Sequence, residues 1–232
     1  MTRLDEIEAN LAAVLARIAA ACASAGRAPD EVSLVVVTKF FPASDVRLLA
    51  GLGITDVGEN RHQEAEAKAA ECSDLGLRWH FIGSLQSNKA AAVASYADVV
   101  ESIDRAKLLT GLSSGAQQRD RLLDCLIQVS LDPADTHGRA GAATADVAAL
   151  AAQIRATEGL RLRGVMAVAP LGEPPGPAFE RLSVVADSVR AIDPSATVIS
   201  AGMSGDLEEA IKAGATHVRV GSAVLGQRPV IK

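Results

Sequence analysis

The sequence predicts an α/β fold, a single (β/α)₈ TIM barrel that is preceded by an N-terminal helix and occupies residues 1–232 as one domain. Short runs of β-branched residues alternate with helical stretches along the chain, which is typical of parallel strands joined by crossover helices. Strands such as residues 34–37 are apolar on both faces, as a sheet covered on both sides requires. The length of 232 residues also suits one such barrel.

The N-terminal segment, residues 2–25, has the pattern of one amphipathic helix. Apolar residues recur at three- and four-residue steps: Leu4, Ile7, Leu11, Val14, Leu15 and Ile18. Acidic residues occupy the first turn, and Gly26 and Pro29 follow the last one, so both ends carry the expected signals.

The remaining chain contains eight predicted strands, each followed by a helix. The strands are residues 32–38, 54–57, 79–82, 98–100, 123–129, 162–168, 196–200 and 217–220. The helices between them are residues 44–52, 63–71, 88–96, 105–116, 142–157, 177–192 and 206–213, with a last short helix opening at residues 221–223. An open doubly wound sheet is the competing architecture, but it usually has five or six strands, so eight units favour a closed barrel.

Composition indicates a cytoplasmic protein without a nucleic-acid or membrane partner. The formal net charge is −5, and Lys and Arg are scattered rather than clustered. The three cysteines, Cys22, Cys72 and Cys125, are too widely spaced for a disulfide framework or a metal site. We expect no signal peptide, no uncharged apolar run of about 20 residues, no bound metal and a monomer.

Two glycine-containing segments lie where a barrel commonly binds phosphate, after the seventh and eighth strands. They are residues 200–206 and 221–223, and each precedes a predicted helix. Glycine permits close backbone approach, and N–H groups at a helix start attract anions. Ordinary turns with Ser or Asp as helix caps are the alternative.

Lys39 ends the first predicted strand and shares a face with Val35 and Val37 by period-two alternation. At the mouth of an apolar barrel an amine loses hydration, which lowers its pKa and favours nucleophilic attack on an aldehyde. Alternatively, the side chain packs on Phe40 while its ammonium group reaches water.

Other polar residues at the same rim allow two interpretations each. Arg219 lies within an apolar strand and needs either a carboxylate partner or a ligand. Asn60 is either a helix cap or a ligand contact, and His80 is either a core histidine with satisfied hydrogen bonds, which its pattern favours, or a catalyst.

The sequence resembles the YggS/PROSC family of pyridoxal phosphate homeostasis proteins. The matching motifs are spread in order over nearly the whole chain: Val36-Val37-Thr38-Lys39, Gly58-Glu59-Asn60 with Gln63-Glu64, Trp79-His80-Phe81-Ile82-Gly83, Leu85-Gln86-Ser87-Asn88-Lys89, Ser102-Ile103-Asp104-Arg105, Gly164-Val165-Met166-Ala167, Gly202-Met203-Ser204 with Asp206, and Val218-Arg219-Val220-Gly221-Ser222.

This resemblance implies a barrel like that of alanine racemase (PLP fold type III) that binds pyridoxal 5′-phosphate (PLP). It implies that Lys39 holds PLP as a Schiff base and that Asn60 contacts the cofactor. Arg219 would face the pyridine nitrogen, where a permanently protonated guanidinium leaves the ring neutral and a weak electron sink. The phosphate-binding positions it implies are Ser204, Gly221 and Ser222.

The sequence departs from the family pattern at several positions, among them Ser84 and Ala201, and two departures bear on the site. Arg61 stands where the family often has an aromatic residue. Arg139-Ala140-Gly141 replaces a Lys-x-Gly motif, and arginine cannot form a Schiff base, so a secondary PLP site at that position is doubtful.

We therefore expect a protein of vitamin B6 homeostasis that buffers PLP or delivers it to apo PLP-dependent enzymes, with no catalytic residues. A PLP-dependent amino-acid racemase-like enzyme is the main alternative, and a barrel enzyme acting on a phosphorylated metabolite is another. Racemases of this type add a second domain that supplies a tyrosine base, whereas the only tyrosine here, Tyr96, is predicted far from the rim. Racemisation needs acid–base groups on both faces of the substrate, and the sequence offers only Lys39.

Overall fold

The computed structural model describes residues 2–132 and 140–227 and shows a closed barrel of eight parallel strands in chain order. The strands are β1 (Ser33–Val37), β2 (Asp56–Glu59), β3 (Arg78–Phe81), β4 (Val99–Ile103), β5 (Leu123–Gln128), β6 (Leu160–Met166), β7 (Val198–Ser200) and β8 (His217–Val220). The predicted (β/α)₈ barrel is confirmed.

Helices surround the barrel and one helix precedes it. They are α1 (Arg3–Ser24), α2 (Ala43–Gly51), α3 (His62–Glu71), α4 (Ala90–Ala94), α5 (Leu109–Gln118), α6 (Thr144–Ala156), α7 (Pro175–Ile192), α8 (Leu207–Lys212) and α9 (Ser222–Leu225). The two predicted helices at residues 88–96 and 105–116 begin instead with 3₁₀ turns, Ser87–Lys89 and Ala106–Leu108.

The barrel closes where the first strand meets the last. β1 pairs with β8 in parallel, and Val35 lies opposite Arg219 in that register. Because all strands are parallel, their carboxyl ends share one rim. The segments that follow β1, β7 and β8 therefore approach one another at that rim.

The helix α1 covers the strands at this closure. Thr2 and Asp5 form a capping box, in which the Asp5 N–H donates to Thr2 Oγ1 and the Thr2 N–H donates to the Asp5 carboxylate. The apolar face of α1 packs into a buried cluster with residues of β1, β8, α8 and α9, among them Ile7, Leu11, Val14, Ile18, Val36, Leu207, Val218 and Leu225.

By length and composition alone, α1 is long and apolar enough to cross a membrane. Charged residues interrupt it at Arg3, Asp5, Glu6, Glu8 and Arg17, so it contains no uncharged apolar run of about 20 residues. The buried cluster gives the apolar face of the helix a structural role within the barrel. Among the described residues no group of three His, Cys, Asp or Glu side chains could hold a metal ion. All three cysteines are buried thiols.

Candidate functional site

A cavity of about 280 Å³ opens at the carboxyl ends of the strands. It is lined by Val37, Lys39, Phe41, Ile82, Met203, Ser204, Gly205, Arg219, Gly221 and Ser222. Five of the six residues predicted to bind the cofactor thus meet in one cavity, at the rim where a barrel of this type places its chemistry.

Asn60 is not among the residues that line the cavity. Its backbone and side-chain oxygens instead pack against Gly83, in the loop that follows β3. A Cβ atom at position 83 would lie 2.1 Å from the Asn60 carbonyl oxygen. A contact between Asn60 and a cofactor stays a prediction.

The alternation predicted for the first strand is confirmed. Val37 and Lys39 line the cavity, whereas Thr38 points the other way and its hydroxyl donates to Glu59 Oε1 at 2.6 Å. Because β1 ends at Val37, the turn that follows the strand places Lys39 at the mouth of the barrel.

Lys39 lies in a tight turn. The Phe41 N–H donates to the Thr38 carbonyl at 3.0 Å, so residues 38–41 form a β-turn with Lys39 and Phe40 at its centre. Phe40 has a φ of 71°, a left-handed conformation that is usually taken by glycine at this position of a turn. The Arg61 guanidinium lies 5.0 Å from the centre of the Phe40 ring, which gives a cation–π contact at the position where the sequence departs from its family.

The loops after β7 and β8 present backbone donors to the cavity. The Met203 N–H donates to the Asp206 carboxylate at 2.6 Å, and the Ser204 carbonyl accepts from Arg17 of α1 at 3.0 Å. These two bonds hold the loop after β7 in place. The N–H groups of Ser204, Gly205, Gly221 and Ser222 have no acceptor within residues 2–132 and 140–227. N–H groups without an acceptor, in residues that line one cavity, suit an anion with several acceptor oxygens.

Gly221 allows the second loop to lie directly against β1. A Cβ atom at this position would meet the Val37 carbonyl oxygen at 3.1 Å and the Val37 Cβ at 3.3 Å. The absence of a side chain therefore brings the loop after β8 close to the strand that carries Lys39.

Arg219 is buried beneath the cavity and fully engaged on the side away from it. Its guanidinium donates to Ser200 Oγ at 2.7 Å and to the Ala167 carbonyl at 2.9 Å, and lies 3.8 Å from a Glu101 oxygen. Arg219 thus has the carboxylate partner of the first alternative and also lines the cavity, and a role toward a ligand stays a prediction. Burial lowers the pKa of Arg219, and the nearby Glu101 carboxylate opposes that effect.

A chain of buried polar groups continues from Arg219 across the barrel interior. Ser200 donates to Glu101 at 2.6 Å, and His80 bridges Glu101 at 2.7 Å and Asp56 at 2.9 Å. Burial opposes ionisation of both His80 and Glu101. For His80 this effect is outweighed by the hydrogen bonds and charges of Asp56 and Glu101, and for Glu101 by the hydrogen bond and charge of His80, the Arg219 charge and the Ser200 hydrogen bond. The pKa of His80 is raised to about 8 and that of Glu101 is lowered to about 2. The prediction that His80 is a satisfied core histidine is confirmed.

Other sequence predictions fall outside this cavity. Tyr96 stacks on His62 with ring centres 5.9 Å apart, and burial raises the pKa of its phenol. Arg139, which replaces the second family lysine, lies outside the described residues.

Comparison with known proteins places the chain in a family. The sequence model described as the alanine racemase N-terminal domain matches residues 4–229, and a closed parallel barrel with a lysine at the end of its first strand is the structure found here. An alanine racemase from Corynebacterium glutamicum shares this fold with a TM-score of 0.65 at 16% identity, over 98% of this chain and 62% of that chain.

Proteins with higher sequence identity identify the family more specifically. A pyridoxal phosphate homeostasis protein from Mycobacterium tuberculosis is 42% identical over 243 residues, which cover 97% of this chain and 94% of that protein. The structure of PipY from Synechococcus elongatus, solved with PLP bound, has a TM-score of 0.82 at 34% identity and covers 95% of this chain and 100% of that chain. The chain belongs to the family of pyridoxal phosphate homeostasis proteins.

Proposed function

We propose that this protein binds PLP, holds it as a Schiff base on Lys39 and serves vitamin B6 homeostasis as a binding protein rather than as an enzyme. The observation that carries the proposal is one cavity that combines the Lys39 amine with backbone donors from two loops and a buried guanidinium. The pyridoxal phosphate homeostasis proteins among its relatives and the PLP in the PipY structure support the same cofactor.

The residues present fit the three parts of PLP. The N–H groups of Ser204, Gly205, Gly221 and Ser222 and the two serine hydroxyls provide donors for a phosphate. Arg219 provides a donor for the pyridine nitrogen, and Lys39 provides an amine for the aldehyde. PLP, when bound, supplies an electrophilic carbonyl carbon and an aromatic ring that can accept electrons.

Each of these groups has a distinct task. Lys39 Nζ forms the C=N bond with the aldehyde carbon, and the aldehyde oxygen leaves as water. Arg219 would remain protonated next to the ring nitrogen of a bound PLP, because a guanidinium does not readily give up a proton. The hydrogen bonds from Arg219 to Ser200 and to the Ala167 carbonyl keep its planar group fixed in that position.

The lining of the cavity favours binding over racemisation. Among the described lining residues, Lys39 is the one side chain suited to moving a proton, and Tyr96 does not line the cavity. Racemisation requires proton donors and acceptors on both faces of the substrate. The curated relatives are likewise named homeostasis proteins rather than enzymes.

We further propose that residues 1–232 act as one cytoplasmic, monomeric PLP-binding domain, with apo PLP-dependent enzymes as recipients of the cofactor. The continuous ring of strands supports a single structural unit. Asn60 remains a proposed cofactor contact from the loop that follows β2.

Reduction with borohydride tests the Schiff base. The purified protein with added PLP is expected to absorb visible light, and reduction is expected to fix the cofactor to the peptide that contains Lys39. Lys39→Ala should abolish this adduct, because the substitution removes the reacting amine. Absorption spectra and peptide mapping by mass spectrometry provide the measurement.

Lys107→Ala is the matched control, since Lys107 is an exposed lysine that does not line the cavity. It should leave the adduct unchanged. An equal adduct in Lys39→Ala would reject Lys39 as the attachment site, and a wild-type protein that binds phosphate but gains no colour with PLP would favour a phosphorylated metabolite as the ligand.

A further inference from the structure

The turn that carries Lys39 is bonded on both sides by helix α3. Before Lys39, the Thr38 carbonyl accepts from Lys68 Nζ at 2.7 Å. After it, the Phe40 N–H donates to Glu64 Oε1 at 2.5 Å. Lys68 and Glu64 also bond each other at 2.7 Å across one turn of the helix. The two side chains therefore join both neighbours of Lys39 to one rigid element.

The Lys68 ammonium is completely satisfied by these contacts. It carries three N–H donors, and its acceptors are the Thr38 carbonyl, Glu59 Oε1 and Glu64 Oε1, each at 2.7 Å. Glu59 Oε1 accepts in addition from the Thr38 hydroxyl at 2.6 Å. Lys68 is only 7% exposed, and its bonds to the Thr38 carbonyl and to Glu59 are buried, whereas the bond to Glu64 is partly buried.

Stability alone gives little reason to bury such a group. Desolvation of a charged pair often cancels its Coulombic attraction, and apolar side chains of similar volume commonly replace it without loss of stability. What an apolar side chain cannot do is bond the Thr38 carbonyl. The turn needs such bonds, because Phe40 is held in a left-handed conformation that few non-glycine residues adopt.

We propose that Lys68 and Glu64, together with Glu59, are positioning residues that hold the 38–41 turn and thereby aim the Lys39 amine at the aldehyde of the bound cofactor. This inference rests on the proposed function. Lys68 and Glu64 do not line the cavity, so they act through the backbone on either side of Lys39. They should affect the covalent step and leave the non-covalent docking of the cofactor intact.

Two ligands separate those steps. Pyridoxine 5′-phosphate has an alcohol in place of the aldehyde, so it can dock but cannot form a Schiff base. In Glu64→Ala, the rate of Schiff-base formation with PLP, followed by stopped-flow absorption, is expected to fall about tenfold through misalignment of the amine. The affinity for pyridoxine 5′-phosphate should stay at the wild-type value. Lys68→Met, which fills a similar volume, should likewise lower the rate with PLP and leave the affinity for pyridoxine 5′-phosphate unchanged.

Glu64→Gln keeps an oxygen acceptor for the Phe40 N–H and should recover part of the lost rate. Glu66→Ala is the matched control on the same helix, because Glu66 is exposed and, within residues 2–132 and 140–227, its one ion-pair partner is His62. Both ligands should behave in this control as they do in the wild type. A wild-type rate in Glu64→Ala and Lys68→Met, or a parallel loss of both ligands, would overturn the positioning role.

Amide hydrogen exchange on the ligand-free protein tests the hydrogen bonds without the cofactor. The Phe40 amide should exchange faster in Glu64→Ala than in Glu66→Ala, because only the first variant removes its acceptor. Unchanged exchange would overturn the inference. Absence of any adduct in the wild-type protein, with faster exchange in Glu64→Ala, would count against the proposed function while leaving the bonded turn established.

Discussion

At the scale of single residues, Gly221 sets the distance between the two parts of the cavity that come from opposite ends of the chain. The loop after β8 lies so close to Val37 that a methyl group at position 221 would stand 3.1 Å from the Val37 carbonyl oxygen. Contacts of this length force neighbouring atoms to move, since packed interiors offer little free space.

We expect Gly221→Ala to weaken PLP binding and to lower the free energy of unfolding by about 1–3 kcal/mol, because overpacking displaces the loop from β1. Titration calorimetry with PLP and urea denaturation provide the measurements. Gly51→Ala is the matched control, as a Cβ atom there meets no atom within 4 Å. Equal behaviour of the two variants would show that the loop does not depend on this close approach.

At the scale of elements, helix α1 links the chain before the barrel to the strands that close it. Ile7 is fully buried between α1 and the elements around β1 and β8, whereas Leu15 on the same helix is 46% exposed. Alanine substitutions at the two positions therefore distinguish the stabilisation from packing of α1 from the stabilisation due to intrinsic helix propensity.

Ile7→Ala is expected to lower the free energy of unfolding by about 2–5 kcal/mol through lost burial and the cavity that remains. Leu15→Ala should change it much less, because the leucine side chain is largely in water already. Urea denaturation followed by circular dichroism measures both. Similar losses in the two variants would mean that α1 does not contribute to the core in this way.

The sequence predicts those elements whose pattern depends on local chemistry. The eight strands follow from their β-branched runs, and the location of Lys39 just after β1, at the rim, follows from the order of the elements. Two predicted helices begin as 3₁₀ turns, a difference in the first turn that periodicity does not reveal.

The bonded turn around Lys39 could not be predicted in the same way. Glu64 and Lys68 have the spacing of an ordinary exposed ion pair on a helix, and only the packing of α3 against β2 buries Lys68 and directs it to Thr38. The position of Asn60 against Gly83 depends on a close approach of two loops, which no local pattern encodes.

At the scale of the whole molecule, polar side chains cross the barrel from β2 to β8. They connect Asp56, His80, Glu101, Ser200 and Arg219 by consecutive contacts. The His80–Glu101 pair should make stability depend on pH, because the bonds to its carboxylate partners raise the pKa of His80 to about 8 against the opposing effect of burial.

Protonated His80 contributes its full stabilisation at pH values below its ordinary pKa of 6.5, and this contribution is lost as the pH rises through about 8. The free energy of unfolding should therefore fall by about 1 kcal/mol between pH 7 and pH 9. The neighbouring His217 does not mask this trend, since burial lowers its pKa to about 4 and its contribution changes mainly below pH 7.

Urea denaturation across this pH range measures the effect, with His80→Asn as the control. Asparagine retains an amide donor for Glu101 but does not titrate, so its curve should lack the decrease attributed to His80. Parallel curves for the two proteins would show that His80 does not carry the positive charge.

The pairing of β1 with β8 has a consequence for biosynthesis. Lys39 leaves the ribosome early, whereas Arg219, Gly221 and Ser222 follow the eighth strand and emerge about 180 residues later, at an elongation rate of roughly 5–20 residues per second. A nascent chain therefore contains Lys39 for many seconds before the loops that we propose to bind phosphate have been synthesised. Stable binding of PLP would then require the complete barrel, so that incomplete or truncated chains would not sequester the cofactor.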